Sequence, residues 1–317
     1  MKRVIVTGGT GVTGVALVRY LLSKDIEVIA IVRKNSSRER YLPQSPLLHI
    51  VYCDLGECYE NAQLIEPYQP VDAFFHLAWD GSTIVNKTNS RDDMELQTRN
   101  ILYAIDVVKM CNKISCKNFI MTGSQAEFGN SNTIINENHP SLPQNGYGNA
   151  KLCAENMTRI MCKGYGIRHV FARLFSVYGP YDGTNSLIYT SILKLLRGES
   201  PQYTRGEQIW DYLYSFDAAK ALYLLALYGK DGEMYCVANG ESDYLYKYIE
   251  TIHKIVNRKI IPELGAIPYN KNAVMFLKTD INKLKRDTGF EPETSFEDGI
   301  RAIRDWCIDT REEYDNL

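Results

Sequence analysis

The chain has 317 residues, 45% of them hydrophobic and 23% charged, with 36 Lys and Arg against 38 Asp and Glu for a net charge of −2. That balance excludes a general binder of nucleic-acid backbones, whose footprint would be basic, yet leaves room for a local anion site. A chain of this length buries roughly 75% of its unfolded surface, so its core needs no disulfide or metal. The eight cysteines (Cys53, Cys58, Cys111, Cys116, Cys153, Cys162, Cys236 and Cys307) form no C-x-x-C pair, and no metal site is expected of them. No apolar run approaches the ~20 residues of a membrane span, and the chain goes directly into a strand, so a cytoplasmic protein without a membrane partner is expected.

Arg3 to Thr7 (RVIVT) reads as a short β-branched strand ended by Gly8 and Gly9. Apolar residues at helical spacing follow over Val15 to Leu22, then a β-rich run over Glu27 to Val32. Further strands are predicted at His49 to Cys53, Val71 to Leu77, Asn118 to Thr122 and His169 to Leu174. Helical stretches separate them, notably Asp92 to Lys113 and Asn149 to Tyr165. This alternation predicts an α/β fold, a doubly wound parallel (Rossmann) sheet with helices on both faces. After Gly179-Pro180 the rhythm changes. Helices are predicted at Leu187 to Arg197, Phe216 to Tyr228, Leu245 to Val256 and Phe296 to Arg311, with a strand-like piece at Met234 to Val237. The expected organisation is a cofactor domain over 1–175 and a smaller mixed α/β substrate lobe over 176–317, with the chain crossing between them.

The first strand leads into Thr7-Gly8-Gly9-Thr10-Gly11-Val12-Thr13-Gly14. Gly8, Gly11 and Gly14 permit a tight turn and a close approach of pyrophosphate to backbone, and Val12 and Thr13 open a helix whose free N–H groups face the phosphates. A strand before the turn and an amphipathic helix after it make this a dinucleotide site. NAD would call for an acid at the end of the second strand. Here Val32 is followed by Arg33 and Lys34, then Ser36, Ser37 and Arg38. Guanidinium and hydroxyl groups suit a 2′-phosphate, so Arg33, Ser36 and Arg38 point to NADP(H), with NAD(H) the alternative. Asp54, followed by Leu55 after the third strand, is positioned to accept a hydrogen bond from adenine.

Tyr147-Gly148-Asn149-Ala150-Lys151 puts a phenol and an ammonium one helical turn apart. A free tyrosine has a pKa of about 10, and a neighbouring cation lowers it. Tyr147 then exchanges a proton with a carbinol oxygen, Lys151 supplies the charge and holds a ribose hydroxyl, and Ser124, just after the fifth strand, polarises the carbonyl.

These pieces together resemble an extended short-chain dehydrogenase/reductase of the nucleotide-sugar epimerase, dehydratase and 4-ketoreductase branch. The matching segments are TGGTGVTG at 7–14, CDL at 53–55, HLA at 76–78, TGSQAEFG at 122–129, YGNAK at 147–151, ARLFSVYGP at 172–180 and WDYLYSFDAAKAL at 210–222. The resemblance implies that Ser124, Tyr147 and Lys151 are the catalytic trio, and that Leu77 and Ala78 border the cofactor beside His76, which is read as a packed residue. It implies a C-terminal lobe holding a nucleotide sugar, and a homodimer formed through helices within 92–113 and 149–165. Trp79, Gln125, Glu127, Ser176, Asn185 and Trp210 fall where such enzymes line the sugar pocket. Trp210 stands where the family often has an arginine for the substrate diphosphate, with Arg173, Arg197 and Arg205 as replacements. Ser176 stands where many members carry asparagine. Gln125 and Ala126 stand where 4,6-dehydratases use an acid–base pair.

The expected function is an NADPH-dependent reductase of a nucleotide-linked 4-keto-(6-deoxy)hexose. The alternatives are a nucleotide-sugar 4-epimerase with bound NAD(P), a reductase of a non-nucleotide ketone, and a non-catalytic NADP(H) sensor, against which the intact Ser–Tyr–Lys set argues.

Overall fold

The computed structural model describes residues 1–82, 90–183, 186–270 and 273–310. The first six strands lie close to their predicted places, as β1 (Arg3–Thr7), β2 (Glu27–Val32), β3 (Leu48–Tyr52), β4 (Ala73–His76), β5 (Asn118–Ser124) and β6 (Arg168–Leu174). The helices between them are α1 (Val12–Leu22), α2 (Met94–Lys113) and α3 (Gly146–Tyr165). The second half contributes β7 (Val177–Tyr178), α4 (Leu187–Leu196), β8 (Ile209–Trp210), β9 (Leu213–Tyr214), α5 (Ser215–Tyr228), β10 (Met234–Val237), β11 (Asp243–Tyr244), α6 (Leu245–Val256), α7 (Asn282–Thr288) and α8 (Phe296–Asp309). Among the described residues no helix is long and apolar enough to cross a membrane.

Seven strands form one sheet in the order β10-β6-β5-β4-β1-β2-β3. All its neighbours pair parallel. The order reverses between β1 and β4, and in such sheets ligands bind in the crevice outside the carboxyl ends of the strands at that point. Strand residues alternate between two cores. Val4, Val6, Val28, Phe75 and Ile120 face α1 and α5. Ile5, Ile29, Phe74, Phe119 and Met121 face α2 and α3. A third core joins Ile188, Ile192, Ile252, Ile300 and Ile303 of α4, α6 and α8.

Beyond residue 175 the chain crosses back to the sheet. Met234 to Val237, placed by sequence with the second lobe, pairs with Phe171 to Leu174 and closes one edge of the cofactor sheet. The helix just before it, α5, buries Ala218, Leu222 and Leu225 in the core shared with α1. Residues 215–237 therefore pack with the sheet, and Leu277, Ile281, Leu284 and Phe290 further along the chain share the same core. The buried Asp211 carboxylate accepts hydrogen bonds from Asn239 N (2.9 Å) and Gly240 N (3.0 Å), tying the link between β8 and β9 to the end of β10.

α3 begins three residues before the predicted Asn149, and Asn145 caps it by accepting from Gly148 N at 2.8 Å. Gly148 is needed there because a Cβ would fall 2.4 Å from Ala126 O. The close approach places Tyr147 in the first turn, against the end of β5.

Leu222, Leu225, Tyr235 and Val237 are fully buried. At about 1.5–3 kcal/mol each, their loss rivals the ~5–15 kcal/mol that keeps a typical domain folded. A fragment of residues 1–175 should therefore show no cooperative thermal transition by circular dichroism. A sharp melt would contradict this organisation.

Candidate active site

The carboxyl ends of β1 and β4 meet at Thr7 and His76, which are register partners. Leu77 N donates to Thr7 O at 3.1 Å. Gly8, at φ +72°, lies so close to Ala78 that a Cβ would fall 2.5 Å from its nitrogen. The glycine turn and the His76–Ala78 segment thus form adjoining walls of one crevice. Gly11 is exposed and begins α1 with no side-chain cap, so the N–H groups of Val12, Thr13 and Gly14 in the first turn face the opening. A Cβ on Gly11 would meet only Gly8 O, at 3.6 Å. Open space at an uncapped helix start fits a dinucleotide pyrophosphate.

Arg33 and Lys34 are exposed just beyond β2, and Ser36 N closes the turn onto Arg33 O at 3.3 Å. Asp54 is exposed and accepts from Gly56 N at 3.4 Å, with Leu55 packed on the core beneath. Arg38 is engaged differently from the reading. Its Nε donates to Thr10 O at 2.8 Å, its Nη2 donates to Tyr181 O, and its guanidinium lies 5.1 Å from the Tyr41 ring. These bonds make Arg38 a strut between the glycine turn and the second lobe, leaving Arg33 as the freer cation.

Ser124, Tyr147 and Lys151 come together at the end of β5. Ser124 caps the short 3-10 turn of residues 125–127, its Oγ accepting from Ala126 N at 3.2 Å. Tyr147 is buried beside the Ser124 turn. Burial raises its pKa, while the Ser124 hydrogen bond and the Arg91 charge pull it down. Lys151 donates to Thr122 O at 2.8 Å. Burial pushes its ammonium down to about 7, and Glu127 acts in the opposite direction. His76 is buried with Nδ1 2.8 Å from Thr7 Oγ1, and burial holds its pKa at about 3. It is a neutral packing residue.

Trp79 forms the outer wall. Its ring centroid lies 4.0 Å from Lys151 Nζ and 6.2 Å from that of Tyr147, edge to face. Its Nε1 donates to Gln97 Oε1 at 2.8 Å. Arg91 lies 4.6 Å from the Tyr147 ring centroid. Sequence reasoning missed Arg91 and Gln97, because neither belongs to a motif; Arg91 sits in a 3-10 turn before α2 and Gln97 in the first turn of α2.

The substrate side departs further from expectation. Gln125 Oε1 accepts from Ser176 N (3.2 Å) and Ser176 Oγ (3.3 Å), so these two residues clasp each other across β5 and β6. Glu127, read as a pocket residue, is fully buried and pairs with Arg173 at 2.7 Å. Arg173, read as a phosphate partner, is buried between Glu127 and Glu155. Neither can touch a substrate, because an apolar shell demands that each charge find its partner inside. Trp210 is half-buried in β8, its ring 6.3 Å from that of Tyr212. Arg205 is exposed. Asn185 lies outside the described residues. A separate groove of about 900 Å³ is lined by Tyr212, Asn239, Tyr248 and Phe296 among others, away from Ser124, Tyr147 and Lys151.

Residues 4–238 match the NAD dependent epimerase/dehydratase family. The chain is 24% identical to a dTDP-glucose 4,6-dehydratase of Neisseria meningitidis, covering 100% of this chain and 96% of that protein. It is 25% identical to dTDP-glucose 4,6-dehydratase 1 of Escherichia coli, covering 99% and 95%. Among solved structures it superimposes on a UDP-N-acetylglucosamine 4-epimerase of Methanobrevibacter ruminantium with a TM-score of 0.86 at 28% identity, covering 98% of this chain and 99% of that one. For a UDP-glucose 4-epimerase of Thermotoga maritima the TM-score is 0.87 at 22% identity, again covering 98% and 99%. Nearly three quarters of the chain matches the family, the sheet order is that of a dinucleotide-binding fold, and Ser124, Tyr147 and Lys151 converge on its carboxyl edge: the chain belongs to the NAD-dependent epimerase/dehydratase family and is an enzyme of the extended short-chain dehydrogenase/reductase type.

Proposed function

We propose that this enzyme is an NADPH-dependent reductase of a nucleotide-linked 4-keto-(6-deoxy)hexose. The observation that carries the reading is the end of β2, where Val32 gives way to the exposed cations Arg33 and Lys34 in place of an acid. A carboxylate there would hold the ribose diol of NAD, whereas a guanidinium suits the 2′-phosphate of NADP. A reductase consumes its cofactor each turnover, which fits an exchangeable NADPH.

Gly8, Gly11, Val12, Thr13 and Gly14 would hold the pyrophosphate, Arg33 and Ser36 the 2′-phosphate, Asp54 and Leu55 the adenine, and Leu77 and Ala78 the inner face of the cofactor. When bound, the nicotinamide supplies hydride. Ser124 hydrogen-bonds the substrate carbonyl and polarises it. Tyr147 delivers the proton to the carbinol oxygen, and Lys151 supports the resulting phenolate and holds a ribose hydroxyl. Arg91 adds a second cation near that phenolate. Trp79, Gln125 and Ser176 would form the sugar pocket, with Trp210 an aromatic wall on the nucleotide side.

Dehydration fits poorly. Gln125 and Ala126 offer no carboxyl beside Ser124, and the Glu127 carboxyl is sealed against Arg173. The second reading is a nucleotide-sugar 4-epimerase. It is favoured by the similar structures described as 4-epimerases, one of them, from Thermus thermophilus, described as a complex with NAD. A homodimer is part of the proposal. Leu102 of α2 is 53% exposed and Ile160 of α3 is 70% exposed, an apolar face suited to a second copy.

Purified protein should oxidise external NADPH at 340 nm when given dTDP-, UDP-, GDP- or CDP-linked 4-keto-6-deoxyhexoses. Stoichiometric co-purified NAD+ with no NADPH oxidation on any of them would replace this reading with the epimerase. Tyr147→Phe should lower turnover by about 10²–10⁴-fold while leaving the NADPH dissociation constant within a few-fold, measured by cofactor fluorescence. Arg33→Ala should weaken NADPH about tenfold or more, the value of one charge-assisted contact, and leave NADH nearly unchanged. An equal loss for both would remove the 2′-phosphate assignment.

A further inference from the structure

Glu127, Arg173 and Glu155 make a buried ion cluster that the steps above do not use. Glu127 is 0% exposed, Arg173 2% and Glu155 7%. Arg173 Nε meets Glu127 Oε2 at 2.7 Å and Nη2 meets Glu155 Oε2 at 2.8 Å. Nη1 donates to Ser141 Oγ at 2.8 Å, and the guanidinium lies 4.4 Å from the Phe128 ring centroid. Burying two carboxylates on one guanidinium is expensive, and replacing such a cluster with apolar side chains is often neutral or stabilising. Its placement suggests what it does.

Glu127 Oε1 accepts from Ser124 N at 2.6 Å, while Lys151 donates to Thr122 O at 2.8 Å. One carboxylate and one ammonium therefore grip the same three-residue strand end. Gly123 lies between them, and a Cβ there would fall 2.5 Å from Glu127 Oε1 and 2.3 Å from the Phe171 ring. The other end of the cluster, Glu155, is one turn beyond Lys151 and two beyond Tyr147 on the same stripe of α3. The cluster links the element carrying Ser124 to the element carrying Tyr147 and Lys151, with Arg173 of β6 as the bolt.

We propose that Glu127 is a positioning residue of the catalytic set, holding the Ser124 turn against α3 through Arg173 and Glu155 and placing a carboxyl group on the same strand end that the Lys151 ammonium grips. The assignment rests on the roles given above to Ser124, Tyr147 and Lys151.

Glu127 faces Arg173 from β6 and Lys151, Tyr147 and Glu155 from α3. Burial drives its carboxyl up to about 8 against the pull of Arg173 and the Ser124 N–H, and Lys151 stands at about 7, so the two titrate together. An acid that can ionise beside Lys151 only increases the fraction protonated at a given pH. Making it permanently neutral must lower the pH at which the ammonium is lost. Glu155 acts with the opposite sign, because it competes for Arg173 and raises the Glu127 carboxyl.

The test is the titration of Lys151 in protein labelled with ¹³C at lysine Cε, its signal assigned by its absence in Lys151→Met. Glu127→Gln should lower the midpoint by about one unit, whereas Glu155→Gln should leave it in place or raise it. An unmoved midpoint in folded Glu127→Gln, or an equal fall in both variants, overturns the proposal. If Glu127→Gln does not fold, Glu155→Gln decides alone: a midpoint held or raised supports the assignment, and a fall overturns it. No substrate enters the measurement, so it stands apart from the reductase reading, which fails separately if Tyr147→Phe keeps its turnover.

Discussion

The hydrogen bond from Leu77 N to Thr7 O, with Gly8 pressed against Ala78, holds together the ends of the two strands between which the sheet reverses its order. The rest of the site is arranged around that junction. β1 delivers the glycine turn and the start of α1, and β4 delivers Leu77, Ala78 and Trp79 beside them. One strand further, β5 delivers Ser124, and the capped start of α3 brings Tyr147 and Lys151 against it. A parallel sheet has all its carboxyl ends on one edge, so the glycine turn and the Ser124–Tyr147–Lys151 cluster on neighbouring strand ends need no further architecture to meet.

Charge organises the interior of this site more than its surface. The chain as a whole is near neutral, at −2. Within one small region, though, Lys151 is buried under Trp79, Arg91 lies over Tyr147, and Glu127 and Glu155 share Arg173. Burial pushes Lys151 toward neutrality and Tyr147 away from ionisation; Glu127 opposes the first shift and adds to the second, which Arg91 opposes. A catalytic acid works best when its pKa lies near the operating pH, so these opposing shifts matter to the chemistry.

The fold was legible in the sequence because both of its signals are local. Short apolar runs separated by helical stretches placed the first six strands, and the turn at 7–14 stood between a strand and a helix. The place of β10 in the sheet was not legible because it is four residues long and far along the chain from the other strands, so only its pairing with β6 shows that it completes the sheet. In the site, the trio followed from spacing, Tyr147 and Lys151 being one turn apart on one helix. Glu127 was misjudged because a motif reports position along the chain and not which way a side chain turns. Its partner Arg173 lies on another strand and turns it inward. Arg38 shows the same limit: its cationic neighbourhood was readable, but the carbonyls of Thr10 and Tyr181 that occupy it were not. Arg91 carried no signal at all, since it reaches Tyr147 through a loop outside every motif.

The central claim is that Tyr147 and its neighbours serve a net reduction, with hydride leaving an exchangeable cofactor for the sugar. The most direct test is a turnover of a nucleotide-linked 4-keto-6-deoxyhexose with NADPH deuterated at the nicotinamide C4, followed by mass and NMR analysis of the sugar. The account predicts one deuterium on sugar C4 for each NADPH consumed. Product formed without label, while NADPH remains unspent, would contradict it.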